Sequence, residues 1–196
     1  MEKNNFSNTT VTSEQLKKEL ERVKNKPKGA GGFFKGFIIT LISVAAIVSI
    51  LTTLLFPIMS IRGGSMSPTL EDGSIAVALK TEELSRGDIC VFYSGSNILC
   101  KRVIAFGGEV VDIDENGVVY IDNVPLDEPY LTVTDLGNTN IKFPYLVPEH
   151  TYFVMGDNRS TSIDSRNTEV GCVSEGQMIG KLIFVFWPID KIGTVE

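Results

Sequence analysis

The chain has 196 residues, 18 Lys and Arg against 24 Asp and Glu (net charge −6), 43% hydrophobic residues and a single histidine. The charge is uneven: residues 1–35 hold eight basic side chains against four acidic ones, and the rest of the chain holds ten against twenty. An acidic body argues against nucleic-acid binding, which needs basic surface to neutralise phosphates, and a lone His150 leaves Cys/His metal sites and Ser-His-Asp catalysis little to draw on.

Residues 1–35 read as a basic arm. Within it TSEQLKKELERV predicts a short helix: Thr12 and Gln15 have capping-box spacing, and Leu16, Leu20 and Val23 share one face. The run GFIITLISVAAIVSILTTLLF, 36–56, has 21 positions without a charge, and as a helix it would span roughly 30 Å, the thickness of a hydrocarbon core. A cleavable signal peptide has a shorter apolar region and a small-residue exit, whereas this run leads into LLFPIM. It predicts a retained single-pass anchor over 36–58. Lys17, Lys18, Arg22, Lys24, Lys26, Lys28 and Lys35 precede it and only Arg62 follows closely. The positive-inside rule therefore puts the arm in the cytoplasm and the body, 59–196, on the outer side of a cell membrane.

Beyond the anchor the apolar runs are short and separated by turn chemistry. SIAVAL (74–79), DICVFY (88–93), ILCKRVIAF (98–106), EVVDI (109–113), GVVYI (117–121), TYFVMGD (151–157) and KLIFVFWPI (181–189) predict strands, with Asn116-Gly117 as a hairpin signal. KLIFVFWPI is too short to span a membrane as a helix and is assigned to the core. The body is expected to be mainly antiparallel β, with no linker long enough to divide it into independent domains. Cys90, Cys100 and Cys172 each sit in an apolar stretch and read as small buried residues.

Three stretches could carry chemistry. GGSMSPTLEDGS, 63–74, puts Ser65 between a glycine pair, which permits close backbone approach, and a proline turn. It is either a polar turn leaving the anchor or a nucleophile loop. A serine without a histidine needs another base, and a lysine serves once desolvation lowers its pKa from about 10.4. Lys101 is flanked by Ile98, Leu99, Cys100, Val103 and Ile104, with Arg102 expected on the opposite face. Such a lysine either snorkels from a strand edge or is buried as a base. MGDNRSTSIDSR, 155–166, is either a solvated turn or a supporting shell of hydroxyls and Asp–Arg pairs.

Taken together, SMSPTL (65–70), RGDICVF (86–92), KRVIAFGGE (101–109) and GDNRSTSIDSR (156–166) resemble, in order and after an N-terminal anchor, the four boxes of the type I signal peptidases. The resemblance spans roughly 36–189 and is to the compact, Gram-positive-like members. It implies a β-rich catalytic core shared with LexA-like self-cleaving proteins, and removal of signal peptides from exported preproteins after small, Ala-X-Ala-like residues, with no metal or organic cofactor. By the same resemblance Ser65 is the nucleophile and Lys101 the general base. Ser162 is the hydroxyl that orients the lysine amine, and Asp164 with Arg166 is a buried supporting pair with Asp157 nearby. The Ser65 N–H is an oxyanion donor. Gly63 stands where some members carry a serine whose hydroxyl is the second donor. His150 is expected at the surface. The implied partners are signal peptides and the lipid bilayer. The alternative is an inactive tethered relative that binds signal peptides or partner subunits.

Overall fold

The computed structural model describes residues 12–24, 30–81 and 83–195. Lys26 and Lys28 of the arm lie outside them. The chain divides into two compact units, with the boundary inside one helix between Ser49 and Ile50.

In the first unit, helix α1 runs Ser13–Lys24. The Thr12 N–H donates to Gln15 Oε1 (3.2 Å), the Gln15 half of the expected capping box, while the Gln15 N–H goes to the Thr12 carbonyl (2.9 Å) rather than to its hydroxyl. Leu16, Leu20 and Val23 share a face that is exposed. Helix α2 runs Ala30–Leu55, and its Gly32–Leu55 stretch, with a peak mean hydropathy of 2.6, is long and apolar enough to cross a membrane. Its hydroxyls need no water: Thr40 Oγ1 donates to the Gly36 carbonyl (3.0 Å) and Ser43 Oγ to that of Ile39 (2.9 Å). The helix stops short of the expected residue 58 because Pro57 cannot extend it and Ile58 pairs with Val77 instead.

The second unit is built from strands β1 (Ile58–Ser60), β2 (Ile75–Leu79), β3 (Ile89–Ser94), β4 (Asn97–Phe106), β5 (Val110–Ile113), β6 (Val119–Ile121), β7 (Val124–Pro125), β8 (Tyr145–Leu146), β9 (Thr151–Met155), β10 (Val173–Ser174), β11 (Met178–Trp187) and β12 (Gly193–Thr194). One antiparallel sheet has the order β1-β2-β11-β3-β4-β9-β10, with β12 beside β11, and a smaller one the order β7-β6-β5-β8. The chain is thus mainly antiparallel β with one long N-terminal helix, as its patterning predicts. Residues 181–187 of KLIFVFWPI lie in β11, paired with β2 along their length and with β3 only at Lys181. Leu182 and Val185 are core, but Phe186, Trp187 and Ile189 are exposed, so the expected core assignment holds for only part of the run. The Asn116-Gly117 hairpin joins β5 to β6, with Gly117 at φ +81° and Asp114 Oδ1 accepting from the N–H groups of Asn116 and Val118.

Strand β4 threads every part of the core. Cys100 packs with Met66, Leu70 and Val91, Val103 with Cys90 and Phe92, and Ile104 and Ala105 with Val111, Val119 and Phe153 under the smaller sheet. Burial on this scale, about 1.5–3 kcal/mol for each large apolar side chain, fixes the register of the strand that carries Lys101. Cys90 is buried, Cys100 and Cys172 are half-buried, and all three are free thiols. His150 is exposed and faces Glu175 at 3.4 Å.

Candidate active site

Strand β3 holds β4 in register, Cys90 opposite Lys101, and β9 pairs with its other edge. Lys101 is 3% exposed, and its Nζ lies 2.6 Å from Ser65 Oγ. Burial lowers the Lys101 pKa below the ordinary lysine value; the Asp164 carboxylate pulls it back up, and the Arg166 guanidinium pushes it down.

Ser65 opens a tight turn at 65–69. Gly63 has φ +82°, where a side chain would be strained, and its N–H donates to Asp72 Oδ1 at 2.7 Å. That bond folds the glycine pair back on the loop. It also occupies the N–H with which Gly63 could have met an oxyanion. The Ser65 N–H has no acceptor among the described residues.

The 156–166 loop, leaving β9, grips this turn from behind. The Asn158 N–H donates to the Ser65 carbonyl (3.0 Å), and Thr69 Oγ1 to Asp157 Oδ2 (2.5 Å). Asp157 also receives Arg102 Nε (2.9 Å) and Nη2 (2.7 Å), a pair buried to within 1%. Strand alternation thus sends adjacent Lys101 and Arg102 to different partners. Arg102 lies over the Tyr130 ring at 3.8 Å, and Arg159 pairs with Glu128. Glu128 and Tyr130 both come from the stretch after β7: Glu128 neutralises Arg159, and the Tyr130 ring adds a cation–π contact to an Arg102 already paired with Asp157.

Asp164 and Arg166 form a second buried pair, fully enclosed: Nε to Oδ1 at 2.9 Å and Nη2 to Oδ2 at 2.8 Å, with the Gly156 N–H on Oδ2 at 2.9 Å. Burial alone would raise the Asp164 pKa, but Arg166 and the Gly156 N–H outweigh it and hold the carboxyl below its ordinary value. Ser162 is fully buried, and its Oγ makes no hydrogen bond among the described residues. The hydroxyl lies near enough to Asp164 to lower that carboxyl slightly further, without reaching bonding geometry.

Gly156 is where these parts converge: a methyl group there would strike both Ser162 Oγ and the Ser65 carbonyl oxygen. Gly156→Ala is expected to cost about 1–3 kcal/mol of stability and to lower kcat by shifting Ser65, checked by thermal melts alongside turnover.

A cavity of about 220 Å³ opens over Ser65 and Lys101, walled by Ile61, Val91, Leu99 and Cys100. The arrangement pairs a hydroxyl with a desolvated amine beside a small, largely apolar pocket. Arg102, Arg159, Glu128, Tyr130 and Thr69 were not singled out from sequence as parts of this constellation. Arg102 carries a signal, a second cation inside an apolar strand, but its partners lie 55 and 28 residues away in the chain.

The profile of the family described as "Signal peptidase, peptidase S26" matches residues 34–187. A signal peptidase IB of Staphylococcus aureus is 37% identical over 153 residues, covering 67% of this chain and 78% of its own. A signal peptidase I of Bacillus amyloliquefaciens is 35% identical over 195 residues, 93% and 98% of the two chains. A crystal structure of a signal peptidase I from Enterococcus faecalis is 34% identical and covers 51% of this chain and 97% of its own, with a TM-score of 0.42.

Proposed function

The chain belongs to the signal peptidase family, peptidase S26, and on that premise we propose that it removes signal peptides through a Ser-Lys dyad, with Ser65 as nucleophile and Lys101 as general base. The observation that carries this reading is the 2.6 Å contact between Ser65 Oγ and a Lys101 amine whose charged form burial disfavours.

Neutral Lys101 takes the Ser65 hydroxyl proton while Oγ attacks the scissile carbonyl. The tetrahedral intermediate collapses to an acyl-enzyme as the lysine returns that proton to the leaving amine. Lys101 then deprotonates water, which attacks the ester, and passes that proton to Ser65 Oγ as it leaves, restoring the neutral amine and the serine hydroxyl. The Ser65 N–H is the oxyanion donor this reading supplies. Gly63, bonded to Asp72, does not add the second, a contribution worth about 10²–10³ in rate elsewhere.

Ser162 orients the lysine amine. That role is assigned by its place in the 156–166 box; what supports it is a buried hydroxyl left without a partner among the described residues, since an unmet buried polar group costs about 1–3 kcal/mol. Asp164 with Arg166, and Asp157 with Arg102, are positioning residues that hold the 156–166 loop against the serine turn. The small apolar cavity favours alanine-sized side chains before the cut. Helix α2 anchors the enzyme in the cell membrane with the arm cytoplasmic and the body outside, where exported preproteins present their signal peptides.

The test is cleavage of a preprotein with an Ala-X-Ala junction by the full chain in detergent. The wild type is expected to cut at the junction, and Ser65→Ala to lose at least about 10³-fold in kcat while keeping its fold. Cutting retained by Ser65→Ala would refute the nucleophile; no cutting by a folded wild type would leave the inactive-relative reading.

A further inference from the structure

The turn that carries Ser65 has a second cavity on it, about 280 Å³, distinct from the one over the amine. Ser67 and Pro68 of the turn form one wall, Asn158 another, and Thr132, Val133 and Asp135, from the stretch between β7 and β8, close it. The two cavities differ in chemistry. The first is walled mainly by aliphatic side chains, whereas the second presents hydroxyls, an amide and a carboxylate.

A peptide attacked at one carbonyl extends away from it in two directions, and each half needs somewhere to lie. Ser67 is two residues from Ser65, and Asn158 is bonded to the Ser65 carbonyl. A chain leaving the cut in extended form, at about 3.3 Å per residue, reaches this cavity with its second or third residue. Most charges at its floor are already committed: Asp157 to Arg102, and Arg159 to Glu128. Asp135 is different. It forms no ion pair among the described residues, and its Oδ1 accepts only the Gly137 N–H, at 2.6 Å.

We infer that this cavity receives the first residues of the mature chain, the half of the substrate that leaves, and that Asp135 sets a charge preference there. The inference rests on the peptidase reading above. It assigns specificity to the side of the cut opposite the signal peptide, with basic or neutral polar side chains accepted and acidic ones disfavoured. The half-exposed setting of Asp135 makes the preference moderate and salt-sensitive.

The test uses the full chain in detergent and peptides identical through the junction, with Ser, Lys or Glu at the second and third positions after the cut. The wild type is expected to favour Lys over Glu in kcat/KM by about three- to tenfold at low salt, a ratio that shrinks at high salt. Asp135→Asn keeps the acceptor for Gly137 and removes the charge, so the ratio should approach one. Val133→Lys, at a position 69% exposed, should shift preference towards Glu without disturbing the core. Equal rates for all peptides with the wild type, or a ratio untouched by both substitutions, overturns the inference. No cleavage of any peptide by the wild type sinks the peptidase reading itself, and this one with it.

Discussion

Replacing Lys101 with methionine is expected to abolish peptide cleavage and raise the melting temperature in the same variant. The loss follows from removing the base, worth about 10²–10⁴ in kcat. The gain follows from burial. Lys101 is enclosed, and desolvation is the largest influence on its pKa, lowering it. A base whose folded pKa lies below its unfolded one binds fewer protons folded than unfolded between the two values, so stability rises with pH across that window and is lowest beneath it. Methionine has a similar stem and no charge to desolvate, so the stability of Lys101→Met should lose this pH dependence. Lys101→Arg is the informative control. An arginine remains charged at every accessible pH, so it should be both inactive and destabilised. In the wild type, kcat/KM should rise with pH along a limb centred below the ordinary lysine value, because only the neutral amine accepts the serine proton. A limb in the ordinary lysine range, or cleavage surviving in Lys101→Met, would refute the general-base assignment.

The parts legible in sequence were those encoded by local pattern. Alternation and turn residues outlined β2–β6, β9 and β11 to within three residues at either end, because those strands are bounded by Gly, Asn or Asp turns. The missed strands are short: β1, β7, β8, β10 and β12 have two or three residues each and owe their existence to a partner already in place. The smaller sheet shows the same limit. Its β7 and β8 carry no pattern of their own, so the separate sheet emerges only when they pair with β6 and β5. At the candidate site, the unusual setting of Lys101 is visible in the sequence itself, whereas the Asp164–Arg166 pair is named only through the family resemblance. Distant partners were invisible. Nothing local links Arg102 to Asp157 and Tyr130, or Arg159 to Glu128. Ser162 is the reverse case: the resemblance names its hydroxyl, yet the structure leaves that hydroxyl unbonded among the described residues.

Asp164→Asn is expected to destabilise the protein strongly and also to move the pH–rate limb, two effects with separate causes. Removing one charge of a buried pair leaves Arg166 unneutralised, a change that typically costs about 3–5 kcal/mol. The Asp164 pKa is lowered in the folded state, so its stabilising contribution is present above the unfolded carboxyl value and is lost as pH falls through the folded one. The second effect acts on Lys101. Asp164 raises the lysine pKa and Arg166 lowers it; without the carboxylate, Arg166 acts unopposed and the ascending limb should move to lower pH. Asp157→Asn separates the two. Asp157 is as deeply buried and equally paired, to Arg102, so its loss should cost comparable stability. It is not among the leading influences on Lys101, so the limb should move much less than in Asp164→Asn. Thermal melts and pH–rate profiles of the two variants, taken below their melting temperatures, decide the matter. If both limbs move alike, the shift reports general loosening of the 156–166 loop, and Asp164 has no separate electrostatic hold on the lysine.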